Sequence, residues 1–355
     1  MRVVSVIVLS VFSLAAIAEP YLAVESGLGC ASCHTNPSGG GQRSAFGNTY
    51  LQQALTARPT NDAQPWTGTL MERFTVGANA RSSARQFELD DRDDNLDFGL
   101  DRVSLYLGAN LNDAVSLYLD QQIAPGSSLN REAWAKLSWD EWYLKAGRMF
   151  LPLGWRLEDD TAFVREITGI NMRQGDDGLE IGYESSKFTL QLSATNGNGG
   201  GSETDDGKLF VGRVEYIQPR WRAGLSGAHN STDFGERTII GAFAGLKTGR
   251  VSWLAEYDHI DDEGFGLPDM QQGVALLEAN VRLRKGHNLK ITAEAQLFDN
   301  DEDQDAKDRY RGSLVYEYFP WAFAQLRAGI RARDSSDDLA ALNSEEAFVQ
   351  LHVLF

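Results

Sequence analysis

The chain has 355 residues, 42% of them hydrophobic, and 50 Asp and Glu against 33 Lys and Arg give a net charge of −17. That acidity excludes a nucleic-acid partner, whose phosphates need basic surface. The two cysteines lie three positions apart, which excludes a disulfide framework built from more cysteines at wider spacing.

Residues 1–18 read as a secretory signal peptide. Arg2 supplies the positive region, Val3 to Ile17 is a nearly unbroken apolar run, and Ala16-Ile17-Ala18 has the small-residue cleavage pattern. The run is shorter than the roughly 20 apolar residues of a spanning helix. A buried N-terminal helix, the other reading, would carry a polar face. No later stretch is long and apolar enough to cross a bilayer as a helix.

Residues 19–65 are expected to be a cofactor-binding segment. Cys30-Ala31-Ser32-Cys33-His34 is a C-x-x-C-H run, the attachment signature of one covalent c-type haem. Two thiols, Cys30 and Cys33, add to the two vinyl groups, and His34 falls beneath the iron as proximal ligand. A redox disulfide would need a thioredoxin-like βαβ unit, and a zinc site would need two further Cys or His ligands nearby. Neither accompanies the run. About 45 residues before the first strand are too few to enclose a haem in a core of their own, so the rest of the chain must shield it. Asn36-Pro37-Ser38-Gly39-Gly40-Gly41 reads as a turn-rich loop or plain linker. Ser44 to Leu55 reads as one short helix carrying Phe46, Tyr50 and Leu51.

Residues 66–355 alternate in short β-like segments. They predict sixteen strands, at 69–81, 97–110, 113–121, 131–139, 141–148, 178–185, 187–195, 207–217, 220–229, 237–247, 250–258, 272–283, 287–297, 308–318, 321–332 and 346–355. Most reach the roughly 9–11 residues of a tilted membrane strand. Leu289, Ile291, Ala293, Ala295 and Leu297 should face out, with Asn288, Lys290, Thr292, Glu294 and Gln296 facing in. Connections from even to odd strands are brief, as at Asn112-Asp113 and Thr248-Gly249, whereas most odd-to-even ones are long. Short-long alternation, a polar interior and a terminal apolar strand ending in Phe355 predict an all-β fold: a 16-stranded antiparallel outer-membrane barrel with lipids as its surroundings.

The acidic clusters Asp90 to Asp94, Asp176-Asp177, Asp205-Asp206, Asp261 to Glu263, Asp299 to Asp308 and Asp337-Asp338 fall in the long loops. They read as a mouth that concentrates cations, as solvated loops, or as sites for divalent ions alongside lipopolysaccharide. Asp299, Asp301, Asp303 and Asp305 lack the glycine and terminal glutamate of a calcium loop. The longest connection, 149–177, either folds inward to plug or line the lumen or stays a surface loop.

A leader, one C-x-x-C-H and a sixteen-stranded barrel in a single chain resemble the fused outer-membrane monohaem cytochrome–porins associated with extracellular iron oxidation. Pro20-Tyr21, Gly27-Leu28-Gly29 before Cys30, and Phe46-Gly47 after His34 carry the local likeness. The Asn36–Gly41 loop and a somewhat short barrel depart from it, and Gly175 to Glu180 also looks like phosphate-selective porins. The resemblance implies an electron conduit: one haem c passes electrons between an extracellular donor, with Fe(II) foremost, and a periplasmic cytochrome or other carrier. An enzyme label, as an extracellular iron oxidase, would rest on redox chemistry alone, because no acid–base or nucleophilic constellation is recognisable. The other reading is a solute-conducting porin with an accessory haem. Strand parity puts His229, His259 and His287 facing lipid or in turns. His352 falls on the lumenal side, and Met71 on the lumenal parity of Arg73 and Thr75. His352 or Met71 is therefore the expected distal ligand.

Overall fold

A computed structural model of the chain describes residues 19–60, 64–89, 92–157, 159–173, 175–203, 205–264, 269–299, 308–335 and 343–355. The leader reading, and the acidic runs at 90–91, 300–307 and 337–338 with the calcium question they raise, lie outside these residues. No described helix is long and apolar enough to cross a membrane.

Alternation along the chain forces the wall. In β14 (His287–Asp299), Ile291, Ala293 and Leu297 are exposed on the outside, while Asn288, Lys290, Thr292, Glu294 and Gln296 are buried within. Successive strand side chains point to opposite faces, so this one segment needs lipid on one side and a polar interior on the other. The same pattern runs around the sheet. The strands are β2 (Phe74–Leu89), β3 (Arg92–Asn110), β4 (Val115–Ala124), β5 (Leu129–Trp139), β6 (Trp142–Met149), β7 (Asp176–Glu184), β8 (Phe188–Thr195), β9 (Leu209–Ile217), β10 (Trp221–Thr232), β11 (Gly235–Thr248), β12 (Val251–Glu263), β13 (Met270–Arg284), β14, β15 (Arg309–Tyr318), β16 (Ala324–Ser335) and β17 (Ser344–Leu354). Each pairs antiparallel with its neighbour in sequence, and β17 closes on β2 through Ser344↔Leu89 and Leu354↔Asn79. Closure leaves no edge whose backbone groups lipid would strand.

This is the expected sixteen-stranded barrel, and all sixteen predicted segments overlap wall strands. Leu225, Ile240, Leu277, Ile330 and Val349 belong to its exposed apolar exterior. Trp142, Phe188, Tyr216, Trp221 and Trp253 ring the outside near the short turns. An apolar band bounded by an aromatic girdle places the barrel in an outer membrane, with the C-terminus at the short-turn, periplasmic end.

Most strand ends shift by a few residues from the sequence reading, and two differences change the path of the chain. The first expected strand, 69–81, is split: β1 (Thr69–Met71) folds back antiparallel on β2, with Met71 opposite Phe74. Met71 is therefore off the continuous parity of β2 and is 67% exposed. The expected long loop 83–96 is instead a tall hairpin, paired up to Leu89↔Arg92 with register shifts at Arg81/Ser82 and Phe87/Leu89. Ladder hydrogen bonds do not depend on apolar side chains, so pairing continues beyond the lipid band through a polar sequence.

Lipid contact makes Ile291 intolerant of charge. Ile291→Arg should cost about 2–4 kcal/mol near the bilayer midplane, seen as a lower urea midpoint for the barrel in vesicles.

Candidate functional site

Residues 19–60 are not a domain beside the barrel; they enter its lumen from the periplasmic end. Pro20 opens α1 (Pro20–Ser26), whose Tyr21 and Val24 are buried. The Cys30–Cys33 stretch is a single helical turn, α2, closed by the His34 N–H donating to Cys30 O at 3.1 Å. Ser44 caps α3 (Ala45–Tyr50) by accepting from the Gly47 N–H, and its hydroxyl donates to Ser32 O at 2.7 Å. A π-helical turn, Leu51–Leu55, continues α3 and buries Leu51 against Phe319 and Leu354. The expected helix over 44–55 thus forms, and its cap is what docks it on the cysteine turn.

The lumen wall holds this plug on almost every side. Lys290 pairs with Glu19 at 2.7 Å on β14, and the Tyr21 hydroxyl donates to Glu317 at 3.2 Å on β15. On β10 and β11, Arg222 donates to Leu28 O at 2.8 Å and Lys247 to Glu25 O at 2.6 Å. Across the lumen, Asn36 donates to Glu132 at 2.7 Å on β5, and the Gln42 N–H donates to Tyr118 at 3.0 Å on β4. Charge-assisted hydrogen bonds of this kind are the strong ones. Burial tends to raise the Glu19 carboxyl, while Lys290 draws it back toward its charged form.

A second stopper descends from the other end. The long connection between β6 and β7 folds inward, the first of the two arrangements its sequence allowed, and carries a short helix α4 (Phe163–Glu166). Trp155, Leu157, Phe163 and Val164 join Tyr21 and Val24 of the plug in one buried apolar cluster. Glu256 accepts from the Trp155 N–H at 2.8 Å and pairs with Arg165, and Glu294 accepts from the Phe163 N–H at 2.6 Å. Burial alone would raise the Asp159 carboxyl, but Arg311 at 3.1 Å and Arg331 at 2.9 Å hold it well below the usual carboxylate range. It stays ionised and pins the loop to β15 and β16.

Plug and loop meet around a partly open cavity of about 70 Å³, below the range of preformed small-molecule and cofactor sites. Cys30, Cys33 and His34 all line it, with Leu22, Leu28 and Trp155 as apolar walls. Both cysteines are free thiols, and burial pushes both up from the ordinary thiol range. Among the described residues no group of three His, Cys, Asp or Glu forms a metal-ligand set, so these three do not converge on one ion as zinc ligands would.

Three cations also line the space: Arg43, Arg156 and Arg213. Arg213 is held by Glu215 at 3.0 Å and by Gly154 O at 3.0 Å. Arg156 comes from the inward loop, lies 4.8 Å over the Phe150 ring, and reaches Glu132 only at 3.5 Å. Its Nε and Nη1 atoms are buried with no hydrogen-bond partner. A buried guanidinium with unused donors carries a desolvation cost that an anionic ligand would offset.

The Asn36–Gly41 loop is more than a linker. Gly39 has φ +86° and lies so close that a Cβ there would sit 3.2 Å from Cys30 Cβ. At Gly40, φ is +70° and a Cβ would come within 2.8 Å of Arg156 Nε. The glycines let backbone pass between the cysteine turn and the arginine.

The expected distal ligands do not reach this cavity. Met71 is exposed on β1. His352 is on the lumenal face, as parity predicted, and is 1% exposed. Its Nε2 accepts from Arg81 Nε at 3.3 Å, and its Nδ1 lies 3.1 Å from Gln325 Oε1. Both nitrogens are used in the wall, and neither His352 nor Met71 is among the cavity-lining residues. Arg156 belongs to the 149–177 connection that the sequence allows to plug or line the lumen, although nothing local sets it beside the cysteines; sequence reasoning missed Arg213, which alternation marks as lumen-facing.

No protein-family model matches this chain, and neither does any curated protein sequence. Solved structures share its fold. The anion-selective porin of Comamonas acidovorans superposes with a TM-score of 0.63 at 11% identity, covering 79% of this chain and 99% of that one. The outer membrane channel DcaP of Acinetobacter baumannii gives 0.61 at 12% identity, over 79% and 97%. Outer-membrane expressed OmpT of Vibrio cholerae gives 0.59 at 11% identity, over 81% and 99%. The likeness establishes a porin-type barrel.

Alanine at position 39 would force a side chain into left-handed backbone, a cost of about 1–2 kcal/mol. Gly39→Ala should leave the heat-modifiable gel mobility of the barrel intact while speeding protease cleavage of the 34–43 loop.

Proposed function

We propose that the chain is an outer-membrane electron conduit whose single haem c is attached at Cys30 and Cys33 inside the lumen, with His34 as proximal ligand. One observation carries the reading: the C-x-x-C-H turn lines a cavity between a plug and an inward loop inside the lumen. Free thiols, apolar walls and unused guanidinium donors at Arg156 suit a flat apolar group with an anionic edge. When bound, haem supplies one-electron redox chemistry. The chain's own residues exclude water, fix the thiols and place positive charge beside the site. In this reading electrons pass between an extracellular donor such as Fe(II) and a periplasmic cytochrome or other carrier.

A second reading, a solute-conducting porin with an accessory haem, is favoured by the porin fold and by a wide vestibule at the extracellular end. Planar-bilayer recording separates the two, because a plugged conduit passes no steady ion current and a porin does.

For the conduit, ferrous iron added outside proteoliposomes should reduce the cofactor, as read by its absorption spectrum. Replacing both cysteines with alanine should abolish haem staining on a denaturing gel. A wild-type protein without stain would sink the reading. Staining that persists in the double variant would place the attachment elsewhere.

His352→Ala and Met71→Ala should leave the ferric spectrum unchanged, since neither side chain lines the cavity. Arg156→Gln should keep the stain but lower the reduction potential, because removing a buried cation favours the oxidised, more positive iron. An unshifted potential would free Arg156 of that role.

A further inference from the structure

Above the loop the lumen opens into a vestibule of about 430 Å³. We infer that its inner part is a binding site for a small polyvalent oxyanion bearing carboxylate or phosphate groups. The inference stands on this space alone and does not depend on the cofactor.

Charge is the first argument. Strand alternation aims Arg81 and Arg85 of β2, Arg102 of β3, and Arg327 and Arg331 of β16 into the vestibule, and Arg173 joins them from the loop. Six guanidinium groups face four carboxylates there, and although Arg327 also meets Glu317 at 3.4 Å on the wall, positive charge stays in excess in a chain whose net charge is −17.

The carboxylates are already committed. Asp159 holds Arg331 and Arg311, and Asp160 holds Arg102 at 2.8 Å. Asp101 takes Arg85 at 2.5 Å, and Glu346 takes Arg331 at 3.0 Å. Arg331 still keeps its Nε buried without a hydrogen-bond partner. Partial burial weakens solvent screening, so the excess charge acts at closer to full strength.

Shape supplies the second argument. The inward loop floors the vestibule with Asp159, Asp160 and Thr161. Planar guanidinium forks match the paired oxygens of carboxylate and phosphate, which chloride lacks.

Calorimetric titration of the detergent-solubilised full chain at low ionic strength tests this with citrate, inorganic phosphate and chloride. Saturable binding of citrate or phosphate, weakened by salt and absent with chloride, is expected. Binding of one oxyanion and not the other assigns the class to polycarboxylates or to phosphates. Arg331→Gln and Arg85→Gln should each weaken it about tenfold or more, with unchanged gel heat-modifiability confirming folded barrels. Glu236→Gln, outside the vestibule, should bind as wild type. No heat with either oxyanion, or undiminished binding in both arginine variants, overturns the inference.

Discussion

A closed sheet of sixteen strands cannot fill its own interior with wall side chains, as an eight-stranded barrel does. Everything specific about this protein depends on how that surplus space is occupied. Two pieces of its own chain enter from opposite ends, and both are irregular backbone that lipid would not tolerate. Inside the lumen, however, their backbone groups find polar partners on the wall, as where Tyr118 accepts from Gln42 and Glu256 from Trp155.

The wall is correspondingly charged. Lys290 sits among Glu19 at 2.7 Å, Glu278 at 3.8 Å and Glu317 at 3.9 Å, and Lys145 and Glu180 are wholly buried 2.7 Å apart. Pairs like these gain little net stability, because desolvation consumes most of the attraction. Losing one member is far more costly, since a charge is left without its partner. The lumen therefore specifies an arrangement more than it stabilises a fold, and an empty barrel would strand Glu132, which Asn36 of the plug and Arg156 of the loop now meet.

Period-2 alternation made the wall legible in the sequence. It gave every wall strand, the outward Ile291, and the lumenal side of His352, because a strand facing lipid and water admits only one register. The C-x-x-C-H spacing made the thiols legible for an equally local reason. What could not be read depends on partners far apart in the chain. Parity put His352 in the lumen but could not show that Arg81 and Gln325 take both its nitrogens. It failed at Met71, where the chain reverses after Met71 instead of continuing upward. Nothing local distinguished an inward loop from a surface one, because Trp155 and Phe163 are buried by residues a hundred or more positions away. The glycines at 39 and 40 looked like a linker, since the need for them comes from Cys30 and Arg156 pressing on the backbone.

The same loop lines both spaces, and this bears on what crosses the barrel. Arg156 faces the cysteine cavity and Asp159 faces the vestibule, only three residues along the chain. Three residues span at most about 11 Å, so the layer between the two spaces is one loop thick. An ion or solute needs a continuous water path, and this layer is packed with Leu157, Phe163 and Trp155. An electron does not need such a path. On the conduit reading, the loop therefore stops matter while keeping an extracellular partner in the vestibule close to the cavity. On the same reading, the arginines around that vestibule would favour a partner arriving as an anionic complex over a bare cation.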